Sequence, residues 1–449
     1  MIPAQDLVES ALSQSSADGC VVLVTDASEA SLRWANSTMT TNGVSTSRSW
    51  AVISVLGTSV GVVTSTSADP ADVTAVVRAS EEAARAAGPS RDAAPLVAGS
   101  AEEAGWDGPA AQTDVTVFDT LATELAAGFR GKDVLYGFAE HQLHTTWLGS
   151  STGLRRRFTQ PTGSVEVNAK RNGSSAWGGV STRDFTDVDL PGILGDLSTR
   201  LGWGTRQVEL PAGRYETLLP SSAAADLMIY LAWTMEGRGA QEGHTALSRA
   251  GGTRVGEKLT DLPLTLAFDP HAPGLEYAPF VATTSSDDSS SVFDNGLTAE
   301  RVELVKDGVV NALTYPRAAA AEFGVPAAVP GDNLLLTGGS DATIADMVAS
   351  TERGLLLTCL WYIREVDPAT LLVTGLTRDG VYLVEDGKVT GEVNNFRFNE
   401  SPLDLLRRVT EVGATQRTLA REWKDWFTRT AVGPMRIPDF HMSSTSRAR

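Results

Sequence analysis

Apolar and polar residues alternate along much of this chain with the period of two that a half-buried strand requires. The alternation is broken by stretches in which apolar positions recur every three or four residues, as on one face of a helix. Residues 6–12 have the helical spacing, and residues 20–24 (Cys-Val-Val-Leu-Val) form an apolar run of strand type. Residues 32–36, 50–56 and 61–66 read as further strands, with Thr41, Asn42 and Gly43 as turn chemistry between the first two. Asp69 followed by Pro70 predicts an N-cap with proline at the first helical position, opening a helix through Val73, Val76, Val77, Ala83 and Ala84.

From residue 88 to 112 the chain is rich in Ala, Pro, Gly and Ser with little periodicity, which predicts a linker or a long surface excursion. Helical spacing returns over residues 119–129, and residues 133–170 then alternate as a meander punctuated by Gly149, Gly153 and Gly163. Residues 183–201 predict a helix interrupted at Gly192, and residues 208–219 a strand ending at Pro220. Ser221 and Ser222 can cap a long apolar helix through Leu227, Ile229, Tyr230 and Leu231. Further on, residues 301–313 predict a hairpin around Lys306-Asp307-Gly308. Residues 355–363, 371–376, 381–384 and 389–393 predict four crowded strands with Asp379-Gly380 and Asp386-Gly387 as turns. Ser401-Pro402-Leu403-Asp404 matches a helix start.

The fold class expected is therefore α+β: an N-terminal α/β sandwich-like domain (1–90), a linker (91–112), a central β-meander with helices (113–220), a mainly β C-terminal domain with a C-terminal helix (221–442) and a disordered tail (443–449). A length of 449 residues with 42% hydrophobic and 20% charged residues is ample for an extended core. Lys and Arg number 37 against 55 Asp and Glu, a net charge of −18 that repels phosphate backbones and anionic lipid surfaces, so neither nucleic acid nor membrane is expected as a partner. The acidic start lacks a basic and apolar leader, and residues 355–363, the longest apolar run, are far short of the roughly 20 residues a membrane span needs. A soluble, cytoplasmic protein is expected. The two cysteines, Cys20 and Cys359, are far apart in sequence and suggest neither a disulfide framework nor a thiolate metal site.

Several short motifs carry chemistry on paper. Gly149-Ser150-Ser151-Thr152-Gly153 spells a nucleophile elbow, but its flanks are strands on both sides, which predicts a hairpin turn. His141 and His144 lie on a predicted strand, where a spacing of three turns them to opposite faces, so they do not make a joint metal site. Gly237-Arg238-Gly239-Ala240-Gln241-Glu242-Gly243 brings its third glycine one residue late for a dinucleotide fingerprint, and Gly252-Thr253-Arg254-Val255-Gly256-Glu257-Lys258 misses a P-loop. No His-Glu dipeptide occurs anywhere, so the helical zinc-peptidase motif is absent.

Trp361-Tyr362-Ile363-Arg364-Glu365-Val366-Asp367-Pro368, Leu376-Thr377-Arg378-Asp379-Gly380-Val381 and above all Asn394-Asn395-Phe396-Arg397-Phe398-Asn399-Glu400-Ser401-Pro402 resemble the TldD/PmbA (TldD/TldE) metallopeptidase-related family, on its TldE-like side. Arg33-Trp34-Ala35-Asn36 and Thr40-Thr41-Asn42-Gly43-Val44-Ser45 are similar to the N-terminal domain of that family.

The resemblance implies a division of labour: TldD-like chains bear H-E-x-x-x-H and a cysteine around a catalytic zinc, and TldE-like chains lack them. Here Thr234 and Gly239 stand near the two histidine positions, and Cys359 is outside the metal-ligand context. The expectation is a non-catalytic subunit, with no catalytic, cofactor or metal residue of its own, shaping the chamber in which a TldD-like zinc subunit cleaves small or unfolded, extended peptides. Glu236, His244 and Arg397 are the residues expected to face partner or substrate, and Arg397 and Glu400 are also considered as a buried ion pair. The alternatives are a stand-alone hydrolase that draws Glu236, His244 and Cys359 together, and a regulatory protein-binding module.

Overall fold

The computed structural model describes residues 2–99 and 105–446. Seventeen-residue strand β1 (Gly19–Ala35) pairs antiparallel with β2 (Thr38–Leu56), which pairs with β3 (Ser59–Ser65). On its other edge β1 pairs antiparallel with β4 (Val134–Ser150), followed by β5 (Arg155–Arg171) and β6 (Ser174–Thr182), giving one six-stranded sheet in the order β3-β2-β1-β4-β5-β6. Strands from residues 1–90 and from residues 134–182, expected in separate units, thus share a sheet, whereas Gln207–Val208 and Gly213–Leu219 of the expected central unit pair with the C-terminal half. A pattern of short-range periodicity carries no information on which strand a given strand will pair with, so this join was not legible.

The period of two decides what each face of this sheet meets. Odd-numbered residues of β4 such as Leu135 and Ala139 are buried with Val165, Val167 and Ala169 of β5 beneath α3 (Asp119–Gly128) and α4 (Leu190–Trp203). Over β1 and β2 the same face is covered by α1 (Ala4–Gln14) and α2 (Pro70–Ala86), which bury Leu7, Val8, Val73 and Val77 on Val22, Val24 and Val52. The opposite face packs on the C-terminal half through Val21, Leu23, Ile53 and Leu148, which meet Phe280, Val292 and Phe293.

Among the described residues the C-terminal half holds two large sheets and a small two-stranded one, Ser248–Arg249 with Gly252–Thr253. One large sheet has six strands, in the order Val309–Val310, Val302–Lys306, Thr265–Phe268, Leu334–Thr337, Thr430–Val432 and Gln416–Thr418. The other large sheet has ten strands and runs from Leu360–Asp367 at one edge through Leu372–Thr377, Phe396–Glu400, Met435–Thr445 and Gly213–Leu219 to Gln207–Val208. Between them lies α5 (Ser221–Thr234), packed against strands of both; it is apolar almost all round, as a helix without a solvent face must be. The α+β class and the strand-rich C-terminal half are as expected.

Several local expectations are corrected. The β1–β2 turn is Asn36-Ser37, both at positive φ, the backbone that matches strand twist in a tight hairpin; Thr41, Asn42 and Gly43 lie inside β2 opposite β1. Gly192 does not interrupt α4 but sits in its first turn, where its N–H donates to the capping Asp189 carboxylate at 2.9 Å. Pro220 takes the N-cap position of α5 with no side-chain cap, so Ser221 and Ser222 are the first helical residues. Residues 355–363 are two strands, Arg353–Leu357 and Leu360–Asp367, that pair with different neighbours; Asp379-Gly380 accordingly turns the chain between non-paired strands. Ser443 to Thr445 belong to the last strand, held by pairing to Phe396 and Arg397; residues 447–449 of the expected tail lie outside the described residues. The hairpins at Asp307-Gly308 and Asp386-Gly387 and the Ser401-capped helix Pro402–Arg408 are as expected.

Gly137 on β4 sits opposite Trp34 of β1, and a Cβ there would lie 2.3 Å from the Trp34 ring and 2.2 Å from the Glu166 carbonyl oxygen. Gly137→Ala must therefore push a fully buried indole off its bed, and thermal unfolding is expected to show a loss of about 1–3 kcal/mol relative to the native chain.

Candidate functional site

At the β1–β3 end the sheet seals onto the C-terminal half, but further along β4 and β5 the two part, leaving a groove. Its wall is the even-numbered face of the two strands: Tyr136, Phe138, Glu140, Gln142 and His144 on β4, and Gln160, Thr162, Ser164, Glu166, Asn168 and Lys170 on β5. Its opposite wall is the turn Arg378-Asp379 and the segment 419–429. The groove has two compartments, of about 670 and 290 Å³, that share Phe138 and Glu166. Glu166 bridges the walls at that waist: its carboxylate accepts from Trp177 Nε1 at 3.0 Å and pairs with Lys424 Nζ at 3.2 Å.

The larger compartment is basic. Arg33, Lys170, Arg171, Arg378 and Arg421 line it with the carboxylates Glu166 and Asp379. Four of the cations lie over rings: Arg33 over Phe138 at 5.4 Å, Lys170 over Tyr136 at 5.0 Å, Arg378 over Trp361 at 5.4 Å, and Arg421 over Trp361 at 4.2 Å. Arg171 is engaged by Asp133. Asp379 ties the walls together, accepting from Ser175 Oγ at 2.6 Å and from Arg421 Nη2 at 3.3 Å. Arg421 is 11% exposed, and its Nε and Nη1 have no hydrogen-bond partner among the described residues. The smaller compartment is acidic, with Glu140, Glu166, Asp332 and Asp425 against Lys424 and Arg429, and is rimmed by Trp426, which is 71% exposed.

Beneath this wall the segment 419–429 is anchored to α5. Asp226, fully buried, accepts from the Glu422 backbone N–H at 2.9 Å, and its carbonyl accepts from Trp423 Nε1 at 2.9 Å. Burial pushes the Asp226 carboxyl well above the ordinary carboxylate range, the neighbouring Glu422 charge adding to the effect and Arg421 opposing it. The Glu422 carboxylate accepts from the backbone N–H groups of Tyr362 and Ile363 at 2.9 and 3.0 Å, where the edge strand Leu360–Asp367 loses register and Tyr362 stands at φ 56°.

The corner singled out by sequence lies elsewhere. Glu236 is the N-cap of α6 (Gly237–Glu242), accepting from the Gly239 N–H at 2.8 Å, and burial pushes its carboxyl above the ordinary range. Thr234 Oγ1 donates back to the Tyr230 carbonyl at 2.7 Å. Gly239 has no side chain with which to ligate a metal, and a Cβ there would lie 2.2 Å from the Glu236 carboxylate. These residues do not fit a zinc ion: one has no side chain, one hydroxyl is turned into its own helix, and the carboxylate already serves the cap.

His244 is exposed beside Glu242, which pairs with Arg91 and Arg238, whereas Cys359 is 1% exposed with its thiol pushed up by burial. Arg397 is exposed and donates to Thr374 Oγ1 at 3.3 Å; Glu400 is buried and pairs with Arg408, so the Arg397–Glu400 pair considered from sequence does not form.

His141 is buried between Thr113 Oγ1 at 2.6 Å and the Arg183 carbonyl at 2.9 Å, and His144 faces the groove, so the two imidazoles do sit on opposite faces. Ser151 and Gly153 form the β4–β5 hairpin turn, as the flanking strands predict. Read from sequence, the groove residues Arg33, Lys170 and Arg421 have no site role, Arg33 entering only through the stretch Arg33-Trp34-Ala35-Asn36. For the first two the alternation was the available signal; for Arg421, in a segment without periodicity, there was none.

The model of the PmbA/TldA metallopeptidase C-terminal domain matches residues 212–444, and that of PmbA/TldA metallopeptidase domain 1 matches residues 20–87. The chain belongs to the PmbA/TldD family. Among solved structures it shares the fold of TldE from Thermococcus kodakarensis, with a TM-score of 0.78 at 15% identity over 97% of this chain and 99% of that one. It shares it also with a protein described as a candidate modulator of DNA gyrase from Bacteroides thetaiotaomicron VPI-5482, with a TM-score of 0.76 at 15% identity over 98% of each chain. A similarly described protein from Thermotoga maritima MSB8 aligns with a TM-score of 0.74 at 14% identity over 94% of this chain and 95% of that one. No curated protein matches the chain in sequence. No helix among the described residues of this PmbA/TldD family member is long and apolar enough to cross a membrane.

Two outcomes follow from the buried acid and thiols. Asp226 binds a proton in the folded chain at pH values where an unfolded aspartate has lost it, so it lowers stability increasingly as pH rises above about 4. Asp226→Asn is expected to be more stable than the native chain at pH 7, the gap in denaturant titrations narrowing as pH falls toward about 4. Cys20, with its thiol pushed up to about 11, and Cys359 are both buried and protonated at pH 8. Mass spectrometry after iodoacetamide treatment at that pH should find both unmodified in the folded chain and both alkylated in urea.

Proposed function

We propose that this chain is the non-catalytic, TldE-like subunit of a two-subunit cytoplasmic zinc peptidase that degrades or matures small or unfolded peptides, the zinc being carried by a TldD-like partner. The observation that carries the reading is the α5–α6 corner, where Thr234, Glu236 and Gly239 serve helix ends and supply no metal ligand. A chain of a metallopeptidase family with that corner can contribute shape and charge to a substrate chamber but not the polarised water that amide hydrolysis requires. The groove between β4–β5 and segment 419–429, with compartments of about 670 and 290 Å³, has room for a short stretch of chain and not for a folded domain. His244 and Arg397, both exposed, are the residues proposed to face partner or substrate, while Glu236 acts through the helix it caps.

The test is hydrolysis of an unfolded peptide by this chain alone, by a TldD-like subunit alone, and by the two together. The mixture should co-elute as a complex and cleave the peptide, with a chelator abolishing turnover, while the lone chain neither cleaves nor retains stoichiometric zinc. Chelator-sensitive turnover by the lone chain would overturn the reading.

A further inference from the structure

The basic compartment stands out against the charge of the whole molecule. In a chain of net charge −18, five cations and two carboxylates line one cavity of about 670 Å³. Arg33 and Lys170 enter no ion pair among the described residues; they lie over the rings of Phe138 and Tyr136 instead. Arg421 lies between Trp361 and Trp177, centred 4.2 and 5.8 Å from their rings, and spends one nitrogen on Asp379. Its Nε and Nη1 are buried without a partner. A guanidinium desolvated and left with donors to spare is costly unless an acceptor reaches it, and a planar carboxylate is the acceptor whose geometry suits its fork.

We infer that this compartment binds a carboxylate of an extended peptide, Arg421 and Arg378 receiving the anion and Arg33 and Lys170 steering it. The inference rests on the reading of the chain as a peptide-handling subunit and names the chemistry of the peptide it would hold. The adjoining acidic compartment, with Glu140, Asp332 and Asp425, sets the polarity: an anionic residue is favoured at one end and a cationic residue or amino terminus at the other. That same acidic neighbour argues against nucleic acid, whose charge continues along its length, and admits an anion only one or a few residues long. Main-chain pairing with the nearby edge strand is obstructed where Glu422 occupies the N–H groups of Tyr362 and Ile363, which leaves side chains as the means of recognition there.

The carboxylate can come from an Asp or Glu side chain or from a peptide C-terminus, and calorimetry on the isolated chain separates the sources. The probes are short alanine-based peptides with an amidated end carrying one glutamate, with a free C-terminus and no acidic residue, with an amidated end and neither, and with an amidated end carrying one lysine. Either of the first two, or both, should bind at least about tenfold tighter than the neutral peptide, as expected for a charge-assisted contact, and identify the source; raised salt should weaken them.

Arg421→Met should abolish that preference, and the surface pair Arg33→Gln with Lys170→Gln, which leaves the Asp379 network intact, should reduce it several-fold while circular dichroism stays native. Equal binding of the neutral or lysine peptide, no binding by any peptide, a preference unchanged in these variants, or tighter binding of a single-stranded oligonucleotide would each overturn the inference. Because no second subunit is present, such a failure leaves the division of labour proposed above untouched, and the absence of hydrolysis in the mixture would leave this result standing.

Discussion

Two very long antiparallel strands, β4 and β5, are made to face different materials on their two sides, and the rest of the molecule follows from that. One side meets helices and is filled with Leu135, Ala139, Val165 and Val167; the other meets the C-terminal half tightly at Leu148 and then stands away from it. Because successive side chains point to opposite faces, the residues free to line the groove are fixed once the apolar face is buried. A slip of one residue would send Phe138, Glu140 and Glu166 beneath the helices and expose the core, at a cost no local interaction could offset.

The second constraint is the anchoring of segment 419–429. It has little regular structure, and its position rests on Asp226 reaching out of α5 to the Glu422 and Trp423 backbone and indole, and on Asp379 holding Arg421 from the side. Asp226 therefore couples the most buried helix of the C-terminal half to the wall of the groove. A buried acid held neutral is less costly than a buried charge, and a carboxyl can still accept the backbone N–H that fixes the loop. This explains how a polar residue is tolerated in the centre of a helix otherwise apolar on all sides.

Arginine and tryptophan recur together on the groove walls for a related reason. A guanidinium sheds water more readily than an ammonium and rests flat on an aromatic face, so it can be partly buried without a carboxylate against every donor. Arg33 on Phe138 and Lys170 on Tyr136 keep positive charge at the surface of a strongly acidic chain, and Arg421, resting on Trp361 and Trp177, has donors beyond the one that Asp379 takes. At the α5–α6 corner the opposite has occurred: Glu236 is consumed by a helix cap and Gly239 is packed against it.

The sequence by itself determined the class of the fold, most of its helices, the hairpins at Asp307-Gly308 and Asp386-Gly387, the hairpin nature of Ser151, the separation of His141 from His144, and the family. All of these depend on residues near one another in the chain, where periodicity, capping and turn preferences act directly. The tertiary structure alone decided that β1 pairs with β4 across residues 91–112, that the β1–β2 turn falls at Asn36-Ser37 rather than at Gly43, and that Glu400 pairs with Arg408 and not with Arg397. It alone assembled the groove, whose cations come from positions as distant as Arg33, Lys170, Arg378 and Arg421. Charge and aromatic rings brought together from four separate segments leave no common spacing in the sequence, because what selects them is the shape of the folded chain.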